Sequence, residues 1–134
     1  MQHPKISIII AVLNRKQHLQ KAIESVINQD FTDYELIIVD GKSTDGTLDI
    51  IRKYESKIGY WESSKDKNVY DAMNKAIAKT NGDWLYFLGA DDEICKDSFQ
   101  NIFSQNWKDA NLIFGNIKYQ NNQQFVGSFS NKLF

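Results

Sequence analysis

The 134-residue sequence holds one cysteine, one proline and two histidines. None of its apolar runs approaches the length needed to span a membrane. A lone Cys95 excludes an internal disulfide and suits a reducing compartment. Pro4 is the only proline, no stretch reads as a linker, and no internal repeat is visible. The net charge is -1, with neither basic clusters nor a basic amphipathic helix, which gives no support to a general nucleic-acid or membrane-surface binder. The N-terminus opens almost directly on a strand, not on a charged segment followed by an apolar signal core, so the cytoplasm is the simplest placement. Acids run out as well: after Asp109 there is no Asp or Glu.

What is present fits one small domain with a sizeable core, since 42% of residues are hydrophobic and 13% aromatic. Strand and helix patterns alternate. Residues 6–13 form a near-continuous apolar run, as expected of a strand buried on both faces. Asn14, with Gln17 three residues on, reads as a capping box for a helix carrying Leu19, Ala22, Ile23, Val26 and Ile27. Tyr34 to Val39 reads as a second buried strand ending at Asp40, and the loop 41–46 leads to a helix with Leu48, Ile51 and Tyr54. A short strand over 58–61 and a polar loop over 63–67 precede a helix striped by Val69, Ala72, Met73, Ala76 and Ile77. Asn81-Gly82 stops it before a strand over 84–88. A helix over 96–105 and strands over 112–114 and 125–127, around the turn at Asn121-Asn122, complete an α/β domain with a mostly parallel sheet.

Parallel α/β units gather their strand ends along one edge, where ligands bind. Asn14, Asp40, the 63–67 loop and the acidic turn Gly89-Ala90-Asp91-Asp92-Glu93 all follow or flank strands on that edge. Adjacent carboxylates repel, so a divalent cation there would offset the cost, although an acidic turn can also be a solvated helix cap. Asp40 can accept from a base N–H or ribose hydroxyl, or simply hold a turn. Ser43-Thr44-Asp45-Gly46-Thr47 reads mainly as a turn and helix cap. Asp66 and Lys67 read either as ligand contacts or as a solvated charge cluster. Asp71 and Asn74 stand three apart on one helix, so one of them is expected to face the crevice.

These motifs resemble the family 2 inverting glycosyltransferases. The resemblance rests on the opening strand with Asn14-Arg15, on Glu35 to Thr47, on Asp66 to Ala76, and on Gly82-Asp83-Trp84 running to Asp91-Asp92, and it covers residues 4–118. The segment Asp66-Lys67-Asn68-Val69-Tyr70-Asp71-Ala72-Met73-Asn74-Lys75 is similar to a subgroup that builds bacterial capsule, exopolysaccharide and lipopolysaccharide. The resemblance implies a GT-A fold, a three-layer α/β/α sandwich. It also implies a nucleotide-diphospho-sugar donor, most readily a UDP-sugar, and a saccharide or lipid-linked acceptor. A divalent Mn²⁺ or Mg²⁺ would bridge the diphosphate to an Asp-x-Asp motif. By that resemblance Ala11, Leu13, Asn14, Arg15, Asp40, Asp66, Lys67, Asp71, Asn74, Ala90 and Asp91 are candidate donor contacts, and Asp91 with Asp92 candidate metal ligands. The sequence departs from the family at Gly89, where the first metal acid is expected, and at Gly41, the second acid of an Asp-Asp pair that contacts the base in some relatives.

An inverting transfer needs a base that deprotonates the acceptor. In the resembled family that base lies well downstream of the metal motif, where this sequence offers no acid. Asp92 and Glu93 are the nearest substitutes. The acceptor half is therefore expected to be missing, with residues 119–134 as its start or as an oligomer contact such as a homodimer. The expected enzyme is a short glycosyltransferase with its donor half intact, cytoplasmic or peripheral at the inner face of the membrane. The alternatives are a non-catalytic nucleotide-sugar-binding module and a sugar nucleotidyltransferase; the latter calls for a Gly-rich phosphate loop, which residues 11–15 lack.

Overall fold

The computed structural model describes residues 3–113 and the strand backbones 117–118 and 124–125. The chain forms two compact units, Met1–Ile102 and Phe103–Phe134. In the first, β1 (Ile6–Val12), β2 (Tyr34–Asp40), β3 (Tyr60–Ser63) and β4 (Trp84–Phe87) form one sheet in the order β3-β2-β1-β4. Every pairing is parallel, with Ile9 opposite both Ile37 and Phe87, and Val39 opposite Glu62. Between the strands lie α1 (Lys16–Ile27), α2 (Thr47–Lys53) and α3 (Val69–Ile77), and α4 (Ser98–Phe103) follows β4.

The order of the strands fixes the layers. The chain steps from β1 through β2 to β3 in one direction, then returns across the sheet to β4. Parallel crossovers are right-handed, so α1 and α2 fall on one face and α3 on the other. On the α3 face, Ile9, Ile37 and Val39 bury Ala72 and Ala76, with Ala11 and Tyr60 packed against them. Small residues on α3 let the helix lie close to β1 and β2. The alternate residues Ile8, Ile10, Leu36 and Ile38 point to the opposite face. The stripe Leu19, Ala22, Ile23 and Val26 of α1 is fully buried. Burying each of its branched residues contributes about 1.5–3 kcal/mol.

Strand and helix placement follow the sequence pattern; β1 and β4 each end one residue earlier than expected, at Val12 and Phe87, and other differences are larger. The third strand is Tyr60–Ser63, two residues later than expected, although Gly59 N already donates to Leu36 O of β2 at 2.9 Å. The helix expected over 96–105 is limited to Ser98–Phe103. In α3 the outer members of the stripe, Val69 and Ile77, are exposed. In the second unit Leu112 and Ile113 are not strand; β5 (Ile117–Lys118) pairs antiparallel with β6 (Gln124–Phe125), and the expected turn at 121–122 and residues 126–127 lie outside the described residues. Among the described residues no helix is long and apolar enough to cross a membrane.

Candidate functional site

β1 is flanked by β2 on one side and β4 on the other, so the connections diverge between β1 and β4. Open parallel sheets bind ligands outside the carboxyl ends of their strands at such a point. A crevice of about 530 Å³ opens there, lined by Asn14, Arg15, Lys16, Gln17, His18, Asp45 and Asp91. Arg15, Lys16 and the start of α1 share it with two acids, Asp45, which is tied to the Lys16 amide, and Asp91. The helix start and the two cations can meet an anionic ligand there.

The loop after β1 is locked to the loop after β2. Asn14 adopts a left-handed backbone (φ 49°), which asparagine tolerates better than most residues. Its Oδ1 accepts from Thr44 N at 2.8 Å, and its own N donates to Ser43 Oγ at 2.8 Å. Arg15 N donates to Thr47 Oγ1 at 3.0 Å and Lys16 N to Asp45 Oδ2 at 3.1 Å. The expected Asn14–Gln17 capping box is therefore absent: Arg15 occupies the cap position without a side-chain bond, and Asp45 supplies the acceptor from across the crevice. Asp45 also accepts from Thr47 N at 2.9 Å, the capping role read for residues 43–47. The Thr47 hydroxyl bond, ahead of those from Lys16 and Thr47 amides, holds the Asp45 carboxyl below its ordinary value.

Asp40 lies beneath this floor. It is fully buried and accepts from Ser43 N at 3.0 Å, from Ser63 Oγ at 2.7 Å and from the Ser43 hydroxyl. These bonds give Asp40 the turn-holding role that the sequence offered beside a ligand contact. Asp40 ties the ends of β2 and β3 to the 41–47 loop. Ala11 is half-buried against the α3 core, and Ala90 is buried.

A second cluster stands at the ends of β1, β2 and β3. Leu13 is exposed, and Asp66 Oδ2 and Leu13 Cδ1 lie 3.3 and 3.5 Å from where a Cβ on Gly41 would stand. Asp66 Oδ1 receives Lys75 Nζ at 2.6 Å. The sequence reading missed Lys75, although its position four residues after Asp71 on a helix was a usable signal. Its ammonium is held above its ordinary value by the Asp66 bond first, opposed by desolvation and aided by the charge of Asp71. Asp71 is engaged in its own helix start. It accepts from Lys67 N at 3.0 Å while its N donates to the capping Asn68 Oδ1 at 2.9 Å, and the Lys67 bond leads the influences that lower its pKa. Lys67 and Asn74 are exposed.

The acidic turn divides its three acids. Asp91 lines the crevice, whereas Glu93 lines a separate groove with Lys21, Glu24 and Lys96, which argues against Glu93 as a base acting beside Asp91. Asp92 N donates to Gly89 O at 3.0 Å, and its carboxylate folds over Gly89. Asp91 Oδ1 lies 3.4 Å from where a Cβ on Gly89 would stand, and Asp92 Oδ2 is closer still. Two carboxylates thus converge on a residue without a side chain. Among the described residues no three His, Cys, Asp or Glu side chains could together hold a metal ion. A protein-only cage does not fit. A site of two carboxylates completed by substrate phosphate and water does fit Mg²⁺ or Mn²⁺.

Comparison with known proteins finds relatives alike in sequence and in fold. A family model described as glycosyl transferase family 2 matches residues 7–130. A PGL/p-HBAD biosynthesis glycosyltransferase of Mycobacterium bovis is 37% identical over 123 residues, covering 87% of this chain and 48% of the relative. The GalNAc(5)-diNAcBac-PP-undecaprenol beta-1,3-glucosyltransferase of Campylobacter jejuni is 29% identical over 133 residues, 96% of this chain and 43% of the relative. The chain spans about half the length of these relatives or less. Among solved structures, S. aureus TarS in complex with UDP-GlcNAc superposes with a TM-score of 0.70 at 27% identity, over 75% of this chain and 30% of that one. The mannosyltransferase PcManGT of Pyrobaculum calidifontis, in complex with GDP-Man and Mn²⁺, gives a TM-score of 0.71 at 19% identity, over 82% and 34%, and shares the fold.

Proposed function

Because the chain belongs to glycosyl transferase family 2, we propose that it binds a nucleotide-diphospho-sugar and takes part in transferring the sugar, with inversion, to a saccharide or lipid-linked acceptor in cell-surface glycan synthesis. The observation that carries this reading is the meeting of Asp91 with the Asn14–Arg15–Lys16 loop across the crevice between the ends of β1 and β4. The cations there suit a diphosphate, and the nucleoside would lie toward Leu13 and Asp66, which meet above Gly41. A UDP-sugar is the first donor to consider, since TarS, alike in fold and 27% identical, is seen with UDP-GlcNAc. Asp91, with Asp92 beside it, would hold Mn²⁺ or Mg²⁺. When bound, the cation would stabilise the departing nucleotide diphosphate. The acceptor of the Campylobacter relative, an undecaprenol-linked saccharide by name, supports a lipid-linked acceptor; we place the chain in the cytoplasm, at the inner face of the membrane.

Calorimetric titration with UDP-, GDP- and dTDP-sugars in the presence of Mn²⁺ tests donor binding. Release of nucleotide diphosphate with and without saccharide acceptors tests transfer. Metal-dependent binding followed by release supports the transferase; binding without release limits the chain to a donor module. If no nucleotide binds and Asp91→Ala changes nothing, the reading fails.

A further inference from the structure

Lys75 stands outside the residues that the sequence pattern assigned to the site, yet the loop after β3 is built around it. Its Nζ donates to Ser64 Oγ at 3.2 Å, to Lys65 O at 3.2 Å and to Asp66 Oδ1 at 2.6 Å, with Asp71 Oδ2 a further 3.7 Å away. An ammonium has three N–H donors, and these three acceptors use them all. Lys75 is therefore not poised to grip a ligand phosphate itself. The Asp66 side chain is only 8% exposed and that of Lys75 31%, so the pair is shielded from much of the solvent that weakens surface ion pairs.

What the clamp fixes is the direction of the other Asp66 oxygen. Oδ2 is turned toward Gly41 and Leu13, within 3.3 Å of where a Cβ on Gly41 would stand. No side chain at position 41 covers it, and Leu13 offers an exposed apolar edge beside it. Asp40, the other carboxylate at these strand ends, is buried in bonds to Ser43 and Ser63. An ionised carboxylate accepts only, so this oxygen takes an N–H or O–H of a ligand, and the exposed Leu13 beside it gives a flat base an apolar face to lie on.

We propose that Lys75 is a positioning residue of the donor site, clamping Asp66 so that its Oδ2 accepts the imide N3–H of a uracil base lying against Leu13. This rests on the donor-binding reading above and names the group that reads the base. Were the clamp lost, the loop 63–67 would lose the three bonds that converge on Nζ, and Asp66 would be free to rotate into solvent.

The test uses the chain itself, with UDP and N3-methyl-UDP as probes in the presence of Mn²⁺. Lys75→Met and Asp66→Ala are each expected to weaken UDP binding about tenfold or more, the scale of one charge-assisted hydrogen bond. The double variant should lose little beyond either single one, because Lys75 acts through Asp66. N3-methylation should weaken binding to the wild-type chain by a similar factor and have little effect on Asp66→Ala. Lys75→Arg should recover part of the affinity. Without ligand, amide hydrogen exchange over residues 63–67 should rise in Lys75→Met and not elsewhere. Additive losses in the double variant, unchanged exchange in that loop, or equal binding of UDP and N3-methyl-UDP by the wild-type chain would each overturn the proposal while leaving donor binding intact. Failure of the wild-type chain to bind any nucleotide diphosphate would instead remove the donor reading and this inference with it.

Discussion

Ser63 Oγ donates to Asp40 Oδ2 at 2.7 Å, lacing the carboxyl end of β3 to that of β2. The same carboxylate takes Ser43 N at 3.0 Å and the Ser43 hydroxyl, and it is fully buried. Asp40→Ala strips three donors of their acceptor in a place water does not reach. Each buried group left unsatisfied costs about 1–3 kcal/mol, so a loss of ~3 kcal/mol is expected by urea unfolding. Asp40→Asn should cost less but still destabilise, because its NH₂ meets hydroxyl and amide donors. If Asp40→Ala unfolds at the wild-type denaturant midpoint, the residue is not the anchor described.

Gly82 makes a second, steric constraint. A Cβ added there would stand 2.5 Å from Ser7 N and 2.8 Å from Ile6 C, both backbone atoms of β1 that cannot swing aside. Gly82→Ala is expected to cost ~3 kcal/mol, at the upper end of overpacking penalties. Gly59→Ala is the control: its Cβ would meet Leu36 O at 3.5 Å and Glu35 Cβ at 3.8 Å, ordinary contact distances. That variant should stay within about 0.5 kcal/mol of the wild type or gain slightly from a less flexible unfolded chain. Thermal unfolding of the pair decides it, and equal behaviour of the two would refute the packing argument.

The contrast between these positions shows what was legible in the sequence. β1, β2 and the α1 stripe could be read directly because burial on both faces leaves unbroken apolar runs, and burial on one face a helical period. The resemblance to a glycosyltransferase family, carried by short motifs in order, led to the fold and family the chain has. Asp40 could not be read, because its type fits a ligand contact and a buried turn equally. The bond from Ser63, 23 residues on, belongs to the turn and leaves no trace in the local pattern. The start of α1 was misread for the same reason: Asp45, 29 residues away, supplies the acceptor that a local pattern assigned to Asn14. Glu93 and Asp91 are two residues apart yet line different grooves, which spacing alone does not reveal.

Glu35 links stability to pH. It accepts from Ser7 Oγ, from Asn81 N and from Asn81 Nδ2, bridging β1 and the entry to β4. Burial is the largest single influence and pushes its pKa upward, but the bonds from Ser7, Asn81 and Gly82 together outweigh it and hold the carboxyl below 4.5. A carboxyl depressed in the folded state contributes stability that is fully present above its unfolded value and is lost as pH falls through the folded one. Asp45 and Asp71 act in the same direction from a reference of 3.8. The chain should hold constant stability from neutral pH down to about 5 and then weaken progressively. Glu35→Gln should be less stable at pH 7 and show a shallower acid decline. An unchanged slope would mean that Glu35 is not coupled to folding.

Asp91 and Asp92 allow the metal to be tested apart from turnover. Both are exposed, so removing either side chain should shift stability by no more than about 0.5 kcal/mol. With Mn²⁺ present, Asp91→Ala should weaken nucleotide-diphosphate binding by about tenfold or more, the effect of losing a charge-assisted ligand. Asp92→Ala should weaken it less, since Asp92 does not line the crevice. Without metal, wild type and Asp91→Ala should bind equally weakly. Gly89→Asp supplies the converse. A Cβ there meets the flexible end of Asp92, which can swing away, and no backbone atom is among its nearest neighbours. A third carboxylate then joins Asp91 and Asp92, and Mn²⁺ affinity without nucleotide should rise, measured by the paramagnetic resonance of free Mn²⁺. If Gly89→Asp leaves Mn²⁺ affinity unchanged while Asp91→Ala abolishes the metal dependence of nucleotide binding, the ion depends on Asp91 and the diphosphate, with no part for the space above Gly89. If neither variant changes anything, the acidic turn is only a solvated cap.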